Sequence, residues 1–191
     1  MKKAVILHGT EANHTMHWFP WLKEQLEILG YEVWVPDLPQ AERPNTTRYN
    51  QFLLSQGWDF TDNLIVGHSS GAVAILGLLQ ALPDDTRINT AILAGAFTKR
   101  LPDGDPSWEM LSELFEKPFD FERVKQKAKQ FIFVHSDDDP YCPLDQAQEL
   151  QSKVGGELIL MHGMKHFSTN LDPRFSKFPE LLDIIKQKVV S

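Results

Sequence analysis

Six short apolar runs recur along the chain, and none of them alternates with polar positions as a strand with one wet face would. The runs cover residues 4–7, 33–35, 64–66, 90–93, 131–134 and 158–161. Uninterrupted apolar runs of this length are typical of parallel strands that are covered on both faces. The pattern therefore predicts six parallel strands.

Segments of helical period separate these runs. Apolar positions between residues 18 and 29 recur at helical spacing, and Gly30 follows them as a helix stop. Similar segments predict helices over residues 72–82, 143–154 and 178–190, with a short helix near 108–115. Alternating strands and helices predict an α/β fold with a doubly wound, mainly parallel six-stranded sheet, flanked by helices and joined by right-handed crossovers.

Composition narrows the class of protein. At 191 residues and 42% hydrophobic content, the chain suits one domain over residues 1–191. A net charge of −7 without a basic stripe argues against a nucleic-acid partner. The single cysteine, Cys142, rules out an intramolecular disulfide. The first apolar run is too short for a signal peptide, and no stretch reaches the roughly 18 apolar residues of a membrane span. We expect a cytoplasmic protein.

The third apolar run ends in the pattern G-x-S-x-G, with Ser69 midway between Gly67 and Gly71. A sharp strand-to-helix turn exposes a serine hydroxyl to substrate and brings it within reach of a base, which makes it a usable nucleophile. Glycine two residues to either side removes a Cβ that would collide with the neighbouring strand or helix. The alternative is a tight turn with an inert serine.

A serine nucleophile needs a base and an acid that orients the base, and on this kind of sheet they follow in the order Ser, Asp, His. Asp137, Asp138 and Asp139 come after the fifth run, and His166 comes after the sixth. Asp139 is favoured because it lies just before the next predicted helix, and Asp138 is second. Three carboxylates could also bind a metal, but consecutive side chains diverge and no histidine pair at ligand spacing joins them. No metal or cofactor is predicted.

His166 is the favoured base among seven histidines. His162 directly follows an apolar run, whereas His166 lies beyond Gly163 in a loop that can reach Ser69. His68 lies inside the elbow and is expected to point away from the nucleophile as a structural neighbour.

Two backbone amides would suffice for the oxyanion that forms when the serine attacks a carbonyl. One is expected from Ser70, at the start of the helix that follows the nucleophile. The other is expected from Thr10 after the first strand, with Gly9 as the alternative.

Several residues are candidates for lining the pocket. His14 and His17 flank the opening loop, although surface exposure suits them equally. The aromatic candidates are Trp18, Phe97, Trp108 and Phe167. Each of these is equally compatible with core packing. Residues 98–118 either cover the site or form a surface excursion.

These motifs resemble those of the small serine hydrolases that include retinoblastoma-binding protein nine and the bacterial YdeN-like proteins. The likeness spans nearly the whole chain and rests on residues 8–9, 17–23, 67–71, 117–122, 136–140 and 163–167. It implies an α/β-hydrolase fold without a large lid domain and a triad of Ser69, Asp139 and His166. One departure is Lys165, which stands directly before the histidine where many members have glycine.

The sequence thus predicts a metal-independent serine hydrolase that cleaves an ester-like bond of a small molecule through an acyl-enzyme intermediate. A carboxylesterase-like activity is the general expectation, with thioesters and amides as open alternatives. No nucleic acid or membrane partner is indicated, and the sequence gives no support for a protein partner. The alternative from another class is a protein-binding module that keeps the hydrolase fold with weak or no catalysis. An intact set of Ser69, Asp139 and His166 argues against a complete loss of chemistry.

Overall fold

A sheet of six parallel strands forms the middle layer of the protein, as the apolar runs predict. The computed structural model describes residues 1–98 and 107–190, without the side chains of residues 107 and 108. The strands are β1 (Lys2–Leu7), β2 (Tyr31–Trp34), β3 (Leu64–His68), β4 (Ile88–Ala94), β5 (Ala128–Ser136) and β6 (Glu157–Met161). Their order is β2-β1-β3-β4-β5-β6, so the winding direction reverses between β1 and β3. Doubly wound sheets bind ligands at such a reversal, beyond the carboxyl ends of the strands.

Helices cover both faces of the sheet. The α-helices are α1 (Phe19–Ile28), α2 (Thr46–Ser55), α3 (Ser70–Ala81), α4 (Ser107–Leu111), α5 (Phe121–Gln126), α6 (Leu144–Val154) and α7 (Pro179–Ile185). Alternate residues of β1 face opposite ways, so that Ile6 packs with α1 and α7 whereas Val5 and Leu7 pack with α2 and α3. The central strands are therefore buried on both faces. Over the described ranges, no helix combines the length and the apolar character needed to cross a membrane.

The structure departs from the predicted elements at the margins. The strand β6 has a single neighbour, and Leu160 on this edge is 41% exposed, so its apolar run does not mean cover on both faces. The final helix ends at Ile185 and continues as a π-helical turn over Lys186–Val190. The short helix predicted near 108–115 consists of α4 and a 3-10 turn over Ser112–Phe115.

The apolar pattern did not predict α2 and α5, which are largely polar. In α2 the buried residues are Tyr49 and Leu53, one turn apart. The helix begins at a side-chain cap, because Asn45 accepts a hydrogen bond from the Arg48 amide at 2.9 Å. Asp120 caps α5 in the same way. Capping residues were therefore a better signal for these two helices than hydrophobic period.

Three buried histidines lie at the carboxyl edge of the sheet, where β1, β3 and β5 end: His8, His68 and His135. Each ring donates a hydrogen bond to a backbone carbonyl, at 2.7 to 2.9 Å. Burial lowers the pKa of His8 and His135, and burial together with nearby His166 lowers the pKa of His68 well below its usual range. All three rings are therefore neutral in the folded protein at neutral pH.

Acidification from about pH 7 to about pH 5 is expected to lower the free energy of unfolding. The unfolded chain binds protons at these histidines near about pH 6.5, whereas the folded chain binds them only at lower pH. The unfolded state thus carries more protons in this window, and stability falls as the pH falls. Urea unfolding at a series of pH values measures the slope.

The matched variant is His135→Gln, whose amide can still donate to the carbonyl that His135 bonds, Cys142 at 2.8 Å. It removes one titrating group, so the slope should decrease by up to about 1.4 kcal/mol per pH unit. A flat pH dependence in the wild type, or an unchanged slope in the variant, contradicts this prediction.

Candidate active site

Ser69 lies on the sharp turn between β3 and α3. Its backbone adopts φ +56° and ψ −123°, which is uncommon for a residue other than glycine. The Ser69 amide donates to the Ala94 carbonyl at 2.9 Å, and the Ser69 carbonyl accepts from the Ala72 amide at 2.9 Å. The turn is thus bonded on both sides and lies at the carboxyl edge of the sheet.

Gly67 and Gly71 make this turn sterically possible. A Cβ on Gly67 would lie 2.5 Å from the Gly71 carbonyl oxygen and 2.7 Å from the Ala72 Cα. A Cβ on Gly71 would overlap the carbonyl oxygens of Leu7 and His8 at the end of β1. Any side chain at either position would force α3 away from the strands.

Asp139 and His166 form a buried hydrogen-bonded pair. The His166 Nδ1–H donates to Asp139 Oδ2 at 2.7 Å, and the two side chains are 6% and 1% exposed. The other carboxylate oxygen, Oδ1, accepts from the amides of Tyr141 and Cys142, both at 2.9 Å. Both oxygens of Asp139 are therefore bonded, which fixes the carboxylate and, through it, the orientation of the imidazole.

The other two aspartates of the run also join the loop after β5 to the loop after β6, but through other residues. Asp138 accepts from the Ser136 hydroxyl at 2.6 Å and from the Lys165 amide at 2.8 Å. Asp137 bonds Nδ1 of His162 at 2.6 Å, and the His162 side chain is 78% exposed. Of the three carboxylates, the one that meets the buried histidine is the residue favoured from sequence.

Two further residues, His68 and Gly95, contact His166. His68 donates Nε2–H to the His166 carbonyl at 2.7 Å, and the two ring centroids lie 4.9 Å apart. Gly95 follows β4 with φ +62°, and an added Cβ there would lie 3.0 Å from His166 Cε1 and 3.6 Å from Asp139 Oδ2. Sequence reasoning missed Gly95. The available signal was its position directly after an apolar run, at the edge where the other candidates also lie.

Thr10 and Ser70, the predicted sources of the oxyanion amides, lie together beside Ser69. The Thr10 hydroxyl donates to the Ser70 hydroxyl at 2.9 Å. Gly9, the alternative, is so close that an added Cβ would lie 3.1 Å from the Ser69 Cβ. As the first residue of α3, Ser70 has an amide without an intrahelical acceptor.

Ser69 and His166 line one cavity of about 310 Å³. One wall is mostly apolar and includes Phe97, Met110, Leu111, Tyr141 and Cys142. A second group of lining residues, the polar wall, consists of His17, Ser168 and Asn170. The cavity therefore offers two chemically different groups of side chains to a bound molecule.

Of the residues expected to line this pocket, Phe97 and His17 do so. Trp18 and Phe167 lie instead in the core between the sheet, α1 and α7. Trp18 donates Nε1–H to the Phe167 carbonyl at 3.0 Å, and Phe167 stacks on Phe178. These rings fill the space beneath the loops, which is why they do not reach the cavity.

The remaining lining candidates lie elsewhere. His14 is exposed and bonds Asp37 at 2.8 Å, beside a separate surface depression that also involves Trp34. The side chain of Trp108 lies outside the described residues, as do residues 99–106 of the segment considered as a cover. The described part of that segment does reach the site, because Met110 and Leu111 of α4 line the cavity.

Positive φ angles at residues other than glycine cluster around the cavity. Glu11, His17 and Ser69 line it, and Lys165 and Phe167 stand on either side of the buried histidine. Such conformations cost about 1–3 kcal/mol each and persist only where the surroundings fix them. Lys165 adopts φ +50°, which is the kind of conformation that glycine favours at this position.

Potential metal-ligating atoms of Asp139, Cys142 and His166 lie within 4.8 Å of one another. This set differs from the run of three aspartates considered from sequence, because it draws on one of them only. In this structure Asp139 and His166 are joined to each other by the 2.7 Å hydrogen bond.

Comparison with known proteins identifies the family to which the chain belongs. A family model described as serine hydrolase matches residues 4–187. The YdeN protein of Bacillus subtilis (strain 168) is 29% identical over 185 residues, which cover 96% of this chain and 94% of that protein. Serine hydrolase RBBP9 of Rattus norvegicus is 26% identical over 187 residues, which cover 96% of this chain and 94% of that protein.

Solved structures share the fold. The crystal structure of the ydeN gene product from B. subtilis has a TM-score of 0.89 at 28% identity and covers 100% of both chains. Est1E from Butyrivibrio proteoclasticus has a TM-score of 0.71 at 17% identity, over 99% of this chain and 87% of that one, and shows the fold alone. Because the family model spans nearly the whole sequence, this chain belongs to the serine hydrolase family.

Proposed function

We propose that this serine hydrolase cleaves an ester-like bond of a small substrate, with Ser69 as nucleophile, His166 as base and Asp139 as the acid that orients the base. The observation that carries the proposal is the 2.7 Å bond between His166 Nδ1 and Asp139, beside a cavity that Ser69 and His166 both line. A histidine whose Nδ1–H is held by a buried carboxylate presents Nε2 for proton transfer.

The reaction proceeds in two half-reactions. His166 Nε2 takes the Ser69 hydroxyl proton while the serine oxygen attacks the substrate carbonyl carbon. The tetrahedral intermediate collapses when the imidazolium returns that proton to the leaving alcohol, and the acyl group stays on Ser69. A water molecule then attacks the acyl carbon while His166 takes its proton. The imidazolium returns that proton to the Ser69 oxygen as the acyl bond breaks, which releases the acid and restores the serine.

The backbone amides of Thr10 and Ser70 stabilise the oxyanion, with Gly9 as the alternative donor. Ser70 begins α3, so its amide lies at the positive end of the helix dipole. A single donor of this kind is worth about 3 kcal/mol of transition-state stabilisation. The contact between the Thr10 and Ser70 hydroxyls, at 2.9 Å, keeps the loop after β1 beside the start of α3.

Asp139 stabilises the positive charge that His166 carries during proton transfer. Its second oxygen accepts two backbone amides, so the carboxylate does not need to move or recruit water when the charge appears. The fixed carboxylate thus keeps the imidazole oriented through both half-reactions.

The cavity favours a small substrate. Its volume of about 310 Å³ lies at the lower end of the range for ligand sites, roughly 300–1,000 Å³. Esters, thioesters and amides pass through the same kind of tetrahedral intermediate, and an ester needs less help with its leaving group than an amide does. A carboxylesterase-like activity is therefore the first activity to assay.

Ser69→Ala is expected to abolish labelling by a fluorophosphonate probe and to lower ester hydrolysis by at least about a thousandfold, because the attacking oxygen is lost. A panel of acyl esters, thioesters and amides provides the second readout. The matched control is Ser152→Ala, since that hydroxyl is exposed and bonds the Glu149 carbonyl on α6. Wild type that does not react with the probe, or a Ser69→Ala variant that reacts as fast, would contradict the mechanism.

Asp139→Asn is expected to lower kcat by about 10²- to 10⁴-fold, because an amide group facing Nδ1 favours the wrong imidazole tautomer. Asp138→Asn is the control, since an amide oxygen can still accept from Ser136 and Lys165. Steady-state kinetics on one ester compares the two. The assignment of the acid is wrong if the larger loss occurs in Asp138→Asn.

Gly95→Ala is expected to lower kcat/KM by about tenfold or more, because the added Cβ would lie 3.0 Å from His166 Cε1 and displace the ring. Gly155→Ala pairs with it as a control, because Gly155 also has a positive φ, +78°, but open space around its Cβ position. Both variants should lose stability by about 1–3 kcal/mol through backbone strain, so stability alone does not separate them. Equal activities in the two variants would show that the contact with His166 is unimportant.

A further inference from the structure

The polar wall of the cavity carries a hydrogen-bond donor that the proposed reaction does not use. His17 lies in this wall, with its ring centroid 5.8 Å from that of His68. The His17 Nδ1 accepts from the Thr169 amide at 3.2 Å and lies 2.8 Å from the Thr169 hydroxyl. An imidazole nitrogen that accepts a backbone N–H carries no proton, so the proton of the neutral ring is on Nε2.

The Nε2–H of His17 is available to a ligand. Among the residues that the structure describes, it has no hydrogen-bond partner, and it is not one of their buried unpartnered polar atoms. Burial and the nearby His166 lower the pKa of His17, so the ring is neutral at neutral pH. The backbone of His17 adopts φ +52°, a conformation that usually persists only where the surroundings fix it.

The position of His17 indicates that it lies near the alcohol part of a bound ester. Thr169 anchors its ring, and Thr169 lies in the same loop as His166, between the cavity-lining residues Ser168 and Asn170. His166 must deliver its proton to the leaving alcohol, so the polar groups of this loop face that part of the substrate. The apolar lining residues Phe97, Met110 and Leu111 are left for the acyl group.

We propose that His17 donates its Nε2–H to an oxygen in the alcohol part of the substrate. The enzyme then prefers esters of polar alcohols, which carry an ether or hydroxyl oxygen, over esters of alkyl alcohols of the same length. This inference rests on the proposed function, because it assigns the alcohol side from the role of His166.

Two esters with the same acyl group test it, 2-methoxyethyl acetate and butyl acetate, which differ by one ether oxygen in place of a methylene. The measured quantity is the ratio of their kcat/KM values in each variant. Comparing ratios between variants cancels the intrinsic difference in leaving-group reactivity.

Two substitutions test the roles of the two ring nitrogens separately. In His17→Asn the side-chain oxygen can take the place of Nδ1 beside Thr169, and asparagine tolerates positive φ, but nothing reaches the position of Nε2. In His17→Gln the amide reaches the position of Nε2 and can donate there, while the anchor to Thr169 is lost.

We define the ratio as kcat/KM for 2-methoxyethyl acetate divided by kcat/KM for butyl acetate. It is expected to fall about three- to tenfold in His17→Asn and to stay within about twofold of wild type in His17→Gln. Thermal unfolding checks that each variant is folded, and His17→Ser replaces His17→Asn if that variant is not. An unchanged ratio in the variant without the donor, or an equal fall in His17→Gln, overturns the role of His17.

Ser69→Ala, assayed in parallel, keeps the two proposals apart. Hydrolysis that depends on Ser69 but shows no effect of His17 on the ratio overturns this inference alone. Hydrolysis that persists in Ser69→Ala overturns the proposed function as well.

Discussion

The strained turn at Ser69 is the constraint on which the rest of the site depends. Its positive φ costs about 1–3 kcal/mol, and a free chain would relax it. Relaxation is blocked because all residues of α3 from Ser70 to Leu79 are buried, so the helix cannot shift without opening the core. Gly67 and Gly71 let the helix lie against the ends of β1 and β3, where any larger residue would overlap backbone. Tight packing over two strands thus holds one hydroxyl in place.

Histidines link the loops around the turn at Ser69. The group to which each ring donates a hydrogen bond indicates whether that histidine is structural or suited to chemistry. His8 and His68 are buried, stay neutral and connect loops: His8 accepts from the Leu38 amide, and His68 donates to the His166 carbonyl. His166 instead donates to the carboxylate of Asp139, which can stabilise a positive charge on the ring. The three histidines therefore differ in the group to which each ring donates, a backbone carbonyl for His8 and His68 and a carboxylate for His166.

The sequence predicted those parts of the molecule in which a local pattern of residues is compatible with only one structure. The buried parallel strands, the turn at Ser69 and the order of the loops that carry Asp139 and His166 all follow from local pattern and topology. It missed α2, whose stability comes from a cap and two buried residues, and Gly95, whose importance arises only when His166 packs against it. It also could not separate aromatic residues that fill the core from those that line a cavity, because burial looks the same from sequence in both cases.

The two walls of the cavity trace back to the two faces of the sheet. Phe97 and Leu111 on the apolar wall belong to a small core that also contains Val73 of α3, so that wall is an extension of packing on the α3 face. The polar wall is built from the loops after β1 and β6, joined where His17 bonds Thr169. A molecule bound beside Ser69 would therefore meet the apolar side chains of one wall and the polar side chains of the other. The placement of the elbow between the two faces is what makes this division of the cavity possible.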